Sequence, residues 1–277
     1  MRASPDLLLN TADIELWPAR LLRARGNRDA RALSRARYVL RRKRDGRFLA
    51  ADLPEGLLPL VPRLRAEPGM DAALDWLDST RHVRLHRAIA LDAAMQVLPL
   101  DRLADRLDAI GLDAEAYADR TGLILVPEPA ALALAGFDRY RRPLWLHPHA
   151  ARAWQRMRNA GLRDDVVLEA ISGYRSHDYQ LGIFERKLAR GLAVEDILTV
   201  NAAPGYSEHH GGRALDISAP GEPPAEESFE ATRAFDWLTA HADAFGFVMS
   251  YPRDNPHGIV HEPWHWQWHS HEPEDAC

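Results

Sequence analysis

The decisive part of this chain of 277 residues is the stretch Ser207-Glu208-His209-His210-Gly211-Gly212-Arg213-Ala214-Leu215-Asp216, together with Glu262-Pro263-Trp264-His265. These two segments supply imidazole and carboxylate groups, which are the protein ligands of catalytic zinc sites. The glycine pair permits a tight turn, so a loop histidine and a strand aspartate can face one ion. The sequence therefore predicts a metal site built from distant parts of the chain.

Three side chains are the predicted ligands of one zinc ion, namely His209, Asp216 and His265. A set of three protein ligands leaves a fourth position open for water, as catalytic zinc requires. Two alternatives remain open, because spacing alone does not separate adjacent histidines. His210 could replace His209, and His261 could replace His265.

A general base is predicted beside the last ligand. Glu262 lies three residues before His265, and on a straight strand that odd spacing would place the two side chains on opposite faces. Pro263 and Trp264 indicate a bend that brings both side chains toward the metal. Glu262 is then positioned to take a proton from water.

A loosely metal-binding tail is the competing interpretation of the same histidines. Five of them fall within 15 residues, at His257, His261, His265, His269 and His271. That interpretation does not explain Ser207, the glycine pair or Asp216. A specific site therefore accounts for more of the sequence than a His-rich tail does.

The composition is that of a soluble globular protein, with 46% hydrophobic and 27% charged residues. This apolar content suffices for a core, so a zinc ion is expected to serve chemistry rather than folding. Cys277 is the only cysteine, which excludes an internal disulfide and any cysteine-based metal site.

The sequence shows neither a membrane span nor an export signal. No stretch approaches 18 apolar residues, and Leu7-Leu8-Leu9 is too short for the apolar region of a signal peptide. We therefore expect a protein that stays inside the cell, leaves by another route, or lacks its natural N-terminus in this sequence.

Positive charge is concentrated near the N-terminus. The net charge is −5, but residues 1–50 hold 13 Lys or Arg against 5 Asp or Glu. The run Arg41-Arg42-Lys43-Arg44 suggests a nucleic-acid or anionic surface. A solvated hairpin is the favoured interpretation, because Asp45-Gly46 between two apolar runs is a hairpin signal. Nucleic acid is thus an unlikely partner.

The predicted fold class is α+β, with a boundary near residue 125. Residues 1–125 are expected to form a mainly helical region with the basic hairpin, in a role that stays unknown. Val126-Pro127-Glu128-Pro129 is typical of a linker. Residues 126–277 are expected to form a small antiparallel sheet with flanking helices and the zinc site. The predicted strands are 166–171, 214–217, 247–251 and 264–268, and the predicted helices are 150–160, 179–188 and 229–245.

The site also resembles a known family. The pattern Ser-x-His-x-x-Gly-x-Ala-x-Asp, met by residues 207–216, is similar to the zinc motif of the VanY-type D-alanyl-D-alanine carboxypeptidases. Glu262-Pro263-Trp264-His265 resembles their second motif, and Ser172-Gly173-Tyr174-Arg175-Ser176 with Gln180 resembles an upstream segment. The three matches keep the family's order and cover residues 140–268.

The resemblance implies a role for each matching residue. His209, Asp216 and His265 would bind zinc, and Glu262 would be the base and then the proton donor to the leaving amine. Arg175 would stabilise the oxyanion, although a structural salt bridge is its alternative role. The implied substrate-binding residues are Ser207, Gln180 and Tyr174.

The implied reaction is removal of the terminal D-alanine from peptidoglycan stem peptides. An L,D-carboxypeptidase or an L-alanyl-D-glutamate endopeptidase would use the same site. A non-catalytic zinc-containing peptidoglycan-binding module is the alternative from another class, because fold and metal alone do not establish chemistry. The family's substrate suggests the cell envelope, whereas the absence of an export signal suggests the cytoplasm.

Overall fold

The computed structural model describes residues 6–24, 26–82 and 93–270. His271 and Cys277 lie outside these ranges. The chain has two compact units, one of Met1–Pro99 with Pro129–Leu134 and one of Leu100–Glu128 with Ala135–Cys277. The boundary at residues 125 and 126 stays a prediction.

The first unit contains an antiparallel sheet with the strand order β5-β4-β3-β2-β1-β6. Its strands are β1 (Leu7–Asn10), β2 (Ile14–Pro18), β3 (Tyr38–Arg42), β4 (Phe48–Leu53), β5 (Gly56–Pro59) and the first part of β6 (Ala131–Phe137). The helices α1 (Asn27–Leu33) and α2 (Met70–His82) accompany it. One core cluster of this unit joins Leu7, Leu40 and Leu77.

The predicted basic hairpin is confirmed. β3 and β4 pair antiparallel, with Leu40 opposite Ala50, and Gly46 takes a φ of 69° in the turn between them. The arginines of this region lie beside carboxylates: Arg37 pairs with Asp52 at 2.8 Å, and Arg41 with Glu15 at 2.6 Å. Salt bridges within this region therefore neutralise much of the positive charge that had suggested an anionic partner.

The α+β class is confirmed, but the mainly helical description of the N-terminal region needs correction, because residues 7–59 contribute five strands. Leu7, Leu8 and Leu9 are all buried, so β1 lacks the alternation of apolar and polar residues by which a half-buried strand is recognised. One neighbour of β1 is β6, where Leu8 lies opposite Leu132. Because β6 is so distant from β1 in the sequence, no local sequence pattern indicates that the two strands pair.

The second unit carries a four-stranded antiparallel sheet of order β10-β11-β9-β8. Its strands are β8 (Glu169–Ser172), β9 (Ala214–Ser218), β10 (Phe247–Met249) and β11 (His265–Trp268), while β7 (Pro143–Leu146) follows β6. Its helices are α3 (Leu103–Asp108), α4 (Ala114–Thr121), α5 (Pro148–Arg163), α6 (His177–Leu188), α7 (Val194–Leu198) and α8 (Arg233–His241).

The predicted elements of this unit are present, but the strand predicted at 166–171 lies at Glu169–Ser172, the strand predicted at 247–251 ends at Met249, and one helix is divided. The expected helix 229–245 consists of α8 flanked by the short 3₁₀ turns Glu227–Ala231 and Ala242–Phe245. The Thr232 hydroxyl accepts a hydrogen bond from the Phe235 amide at 3.2 Å and so begins α8. Gly246 ends the segment with a φ of 83°, a conformation that favours glycine.

Helices α3 and α4 belong to the core of the second unit. Leu103 and Tyr117 lie in one buried cluster with Phe184 of α6 and Tyr206. The Tyr117 hydroxyl also accepts a hydrogen bond from the Ala203 amide at 3.2 Å. In the described part of the chain, no helix combines the length and apolarity that crossing a bilayer requires.

Gly173, which connects β8 to the segment that carries Arg175, has no room for a side chain. A Cβ there would lie 2.9 Å from both Leu144 Cδ1 and the Trp145 carbonyl oxygen. We expect Gly173→Ala to lower the free energy of unfolding by about 1–3 kcal/mol, the usual effect of overpacking. Denaturant unfolding of the purified protein measures the change.

Gly182→Ala is the matched control, because Gly182 lies inside α6 and meets only the flexible end of Arg186. Alanine favours helix by about 1 kcal/mol over glycine, so this variant should be neutral or stabilised. Equal stability of the two variants would contradict the close packing at Gly173.

Candidate active site

The sheet of the second unit brings the predicted ligands together. β11 pairs with β9 so that His265 lies directly opposite Asp216, and the end of β8 places Ser172 on the other side of Asp216. His209 lies on the 3₁₀ turn Glu208–Gly211, just before β9. Gly212 ends that turn with a φ of 65°, which lets the chain pass from the turn into the strand.

The three side chains are buried and their donor atoms converge. His209 Nε2 lies 3.3 Å from Asp216 Oδ1, and His265 Nδ1 lies 3.1 Å from the same oxygen. One donor atom from each residue falls within 4.8 Å of the others. Zinc bonds of about 2.0–2.2 Å in a tetrahedron place donors about 3.3–3.6 Å apart. The donor set therefore fits zinc, and the two separations from Asp216 are close to this spacing.

Hydrogen bonds from the far side of each imidazole fix which nitrogen faces the site. His209 Nδ1 donates to the Gly173 carbonyl oxygen at 2.7 Å, which leaves Nε2 toward Asp216. His265 Nε2 donates to Glu208 Oε2 at 2.8 Å, which leaves Nδ1 toward Asp216. Ser250 Oγ donates to the same Glu208 oxygen at 2.6 Å. Metal-binding histidines are oriented in this way by a carbonyl or a carboxylate.

The electrostatics of the site favour a positive charge between its carboxylates. Burial lowers the pKa of His209 to about 4, so this ligand is neutral at pH 7. Burial opposes a charge on His265, but the hydrogen bonds and charges of Asp216 and Glu208 raise its pKa to about 10. Burial alone would raise the pKa of Asp216, yet His209 and Arg175 hold it well below its usual range.

Arg175 faces the same centre. Its guanidinium forms a salt bridge with Asp216, donates to His209 Nε2 at 2.9 Å, and donates through Nε to Ser172 Oγ at 3.0 Å. The salt bridge considered from the sequence is thus present. A metal ion on His209 Nε2 would displace one of these hydrogen bonds and leave part of the guanidinium for another acceptor.

The predicted bend between Glu262 and His265 is present. The His265 amide donates to the Glu262 carbonyl oxygen at 3.1 Å across a turn containing Pro263 and Trp264. Glu262 Oε2 then lies 3.8 Å from His265 Nδ1. Burial raises the pKa of Glu262 to about 7. A carboxyl group with such a pKa can both accept and return a proton near neutral pH.

An open cleft of about 270 Å³ lies over these groups. Gln180 and Ser207 line it, together with Lys187 and Tyr251. Gln180 Nε2 donates to the Ala202 carbonyl oxygen at 2.8 Å, whereas its buried Oε1 has no hydrogen-bond partner among the described residues. An acceptor in this position suits an N–H group of a bound peptide.

Tyr174 does not share this cleft. Its hydroxyl donates to Glu128, a buried carboxylate in the segment that resembled a linker. Glu128 Oε1 also accepts from the His177 amide at 3.0 Å, at the start of α6. The segment is therefore part of the scaffold behind Arg175, and Tyr174 contributes to that scaffold.

The two alternative histidines face other partners. His210 Nδ1 donates to the Arg175 carbonyl oxygen at 2.7 Å, and its Nε2 accepts from the Gly205 amide at 3.1 Å. His261 Nδ1 lies 3.2 Å from the Tyr251 carbonyl oxygen, and its Nε2 lies 3.4 Å from Glu230. Neither imidazole joins the converging donor group.

Sequence reasoning missed three residues of this region. Glu208 stands inside the first motif, but nothing in its spacing indicates a bond to His265, which is 57 residues away. Glu128 lies beside two prolines, which concealed its burial. Lys187 could have been found, because it falls seven residues after Gln180 on the predicted helix and so shares a helical face with it.

Comparison with known proteins agrees with the motifs. Residues 143–271 match the VanY family model, which is described as D-alanyl-D-alanine carboxypeptidase. The chain is 32% identical over 149 residues to the "Putative carboxypeptidase YodJ" of Bacillus subtilis strain 168, covering 50% of this chain and 53% of that protein. It is 32% identical over 120 residues to a D-alanyl-D-alanine carboxypeptidase of Enterococcus faecalis, covering 40% and 43%.

Two solved structures also align with the chain. The LdcB LD-carboxypeptidase structure has 29% identity and a TM-score of 0.48, over 51% of this chain and 69% of that one. VanYB in complex with D-alanine-D-alanine has 29% identity and a TM-score of 0.39, over 46% and 72%. The chain spans about half the length of the curated relatives it matches. The predicted resemblance is confirmed over residues 143–271, the part of the chain that matches the VanY family model.

Proposed function

We propose that the protein is a zinc-dependent carboxypeptidase that removes the terminal D-alanine of peptidoglycan stem peptides. The single observation that carries the proposal is the cleft in which Glu262 and Arg175 lie beside the converging donors of His209, Asp216 and His265. The family match of residues 143–271 supports the substrate class.

His209, Asp216 and His265 would hold one zinc ion. When bound, zinc would lower the pKa of a water molecule and polarise the carbonyl group of the substrate. Glu208 keeps His265 oriented, and the Gly173 carbonyl oxygen keeps His209 oriented.

The remaining chemistry belongs to residues of this chain. Glu262, whose pKa burial raises to about 7, takes the proton of the attacking water and returns it to the leaving amine. Arg175 directs guanidinium N–H groups at the oxygen that becomes negative as the carbonyl carbon turns tetrahedral. Gln180 Oε1 and Ser207 Oγ are available to bind peptide groups of the substrate.

A binding module without catalysis would not need a base. Burying a carboxyl group is costly, and Glu262 has an exposed fraction of only 9%, while its ion-pair contact with His265 is as long as 3.8 Å. That arrangement favours an enzyme over a binding module. A proton carrier of suitable pKa is what the hydrolysis of an amide requires.

The orientation of His265 by Glu208 leads to a prediction for zinc binding. We expect Glu208→Ala to weaken zinc binding by about 10- to 100-fold, because His265 loses the carboxylate that holds its ring. Competition with a chromogenic chelator measures the affinity. Glu227→Ala is the control, since Glu227 is an exposed carboxylate of the same unit, and it should bind zinc as the wild type does. An unchanged zinc affinity of Glu208→Ala would contradict the proposal that Glu208 orients His265.

The base is tested by Glu262→Gln. This change keeps the size of the side chain but removes the proton acceptor, so we expect the hydrolysis rate to fall by about 100- to 10,000-fold. Zinc content should remain near one ion, because Glu262 is outside the proposed ligand set. The measurement is mass spectrometry of defined muropeptides incubated with the zinc-loaded protein, which also identifies the bond that is cleaved.

Glu227→Gln is the matched control and should retain the wild-type rate. Full activity of Glu262→Gln would refute the proposed mechanism. Release of a residue other than the terminal D-alanine by the wild-type protein would refute the proposed substrate.

A further inference from the structure

Glu128 is a buried carboxylate that the proposed reaction does not use. Its exposed fraction is 3%, and it lies outside residues 143–271, which match the family model. Removing a carboxylate from water is costly unless hydrogen-bond donors or cations replace the water. The groups that donate to Glu128 therefore indicate what its burial supports.

The two oxygens of Glu128 bind the chain on either side of Arg175. Oε2 accepts a hydrogen bond from the Tyr174 hydroxyl, and Oε1 accepts one from the His177 amide at 3.0 Å. His177 is the first residue of α6, where the positive end of the helix dipole favours an anion. One carboxylate thus holds both ends of the segment 174–177.

The backbone of Arg175 is also fixed within that segment. Its amide donates to the His209 carbonyl oxygen at 3.3 Å, and its carbonyl oxygen accepts from His210 Nδ1 at 2.7 Å. The ring of His210 packs edge-to-face against that of His177, with centroids 4.3 Å apart. Together with Glu128, these contacts determine the point from which the Arg175 side chain extends.

The segment that carries this carboxylate, residues 100–128, is firmly packed in the second unit. The Val126 amide donates to the Gly205 carbonyl oxygen at 2.8 Å. Arg106 forms a buried salt bridge of 2.7 Å with Asp178 in the first turn of α6. The carboxylate therefore acts from a support that is itself held against α6 and the loop before the first motif.

We propose that Glu128 is a positioning residue for Arg175. This inference rests on the proposed function, in which Arg175 stabilises the oxyanion, and adds the group that sets the position of that cation. A cation stabilises developing charge only while it is aimed at it, and a displacement of about 1 Å can cost roughly 100-fold in rate. Residues 100–128 are thus a working part of the site, although they precede the family match.

The position of Arg175 can be measured without hydrolysis. Its Nε–H group donates to Ser172 Oγ at 3.0 Å and gives a ¹⁵N–¹H signal in NMR spectra of the full chain, which Arg175→Lys assigns by its loss. We expect Glu128→Ala to shift or broaden this signal, because Tyr174 and His177 lose their acceptor. Glu128→Gln keeps an acceptor oxygen at the same reach and should retain most of the wild-type signal.

Two tyrosine variants separate this role from a general loss of packing. Tyr174→Phe removes the hydroxyl that donates to Glu128 and should also move the Arg175 signal. Tyr117→Phe is the matched control, because it removes a hydroxyl of the segment 100–128 that accepts from the Ala203 amide instead. An Arg175 signal that stays unchanged in Glu128→Ala and Tyr174→Phe, or that moves equally in Tyr117→Phe, would overturn the proposal.

Kinetics then test whether Glu128 acts through Arg175. Glu128→Ala should lower kcat for a defined muropeptide by about 10- to 100-fold and change KM by less than about threefold. In an Arg175→Ala background, the same change should lower the rate by less than about threefold, because residues that act as a unit are not additive. A full repeated loss in that background would reject the positioning role.

The result stays distinct from that of the proposed function. An Arg175 signal that depends on Glu128, in a protein that does not hydrolyse muropeptides, would keep the positioning role and reject the enzyme. Hydrolysis by the wild type, with an Arg175 signal and a rate that Glu128→Ala leaves unchanged, would keep the enzyme and reject the positioning role.

Discussion

The site depends on one cross-strand pair, Asp216 on β9 opposite His265 on β11. Residues directly opposite each other on antiparallel strands have neighbouring side chains, so this register sets the distance between a carboxylate and an imidazole. A slip of one residue would turn either side chain to the other face of the sheet. The turn that carries His209, the bend at Pro263 and the end of β8 then supply their groups around that pair.

Neighbouring charges of opposite sign allow Asp216 and His265 to be buried. Asp216 is buried, and removing a carboxylate from water is costly unless cations and hydrogen bonds replace the water. Arg175 and His265 provide that replacement on one side, while Glu208 with Ser250 balances His265 on the other. Each buried charge of the centre thus has a partner of opposite sign or a hydrogen bond. The same arrangement suits a divalent cation, which would bring positive charge to the place where the carboxylates converge.

The sequence predicted much of this site, because its signals are local. The two motifs identified the converging donors, and Pro263 with Trp264 indicated the bend that brings Glu262 beside His265. The helix 177–188 and the strand 214–218 were predicted from their apolar patterns within a few residues. The features of the fold and the site that could not be predicted depend on contacts between residues far apart in the sequence. Strand β1 has β6 as one partner, and the roles of Glu128 and Glu208 depend on partners 46 or more residues away. Adjacent histidines were separated only when His210 was seen to bind backbone groups of Arg175 and Gly205.

The placement of β6 has a consequence for how the chain matures. β1 pairs on one side with β2, which follows within four residues. On its other side, β1 pairs with residues 131–133 of β6, which are synthesised much later. During synthesis from the N-terminus, that side of β1 remains an unpaired edge while all of α3 and α4 is made. Exposed edges recruit foreign strands, and Leu7, Leu8 and Leu9 make this one apolar on both faces. The first unit is therefore a late-closing sheet, and the interval before residue 134 emerges is when the nascent chain is most prone to aggregate.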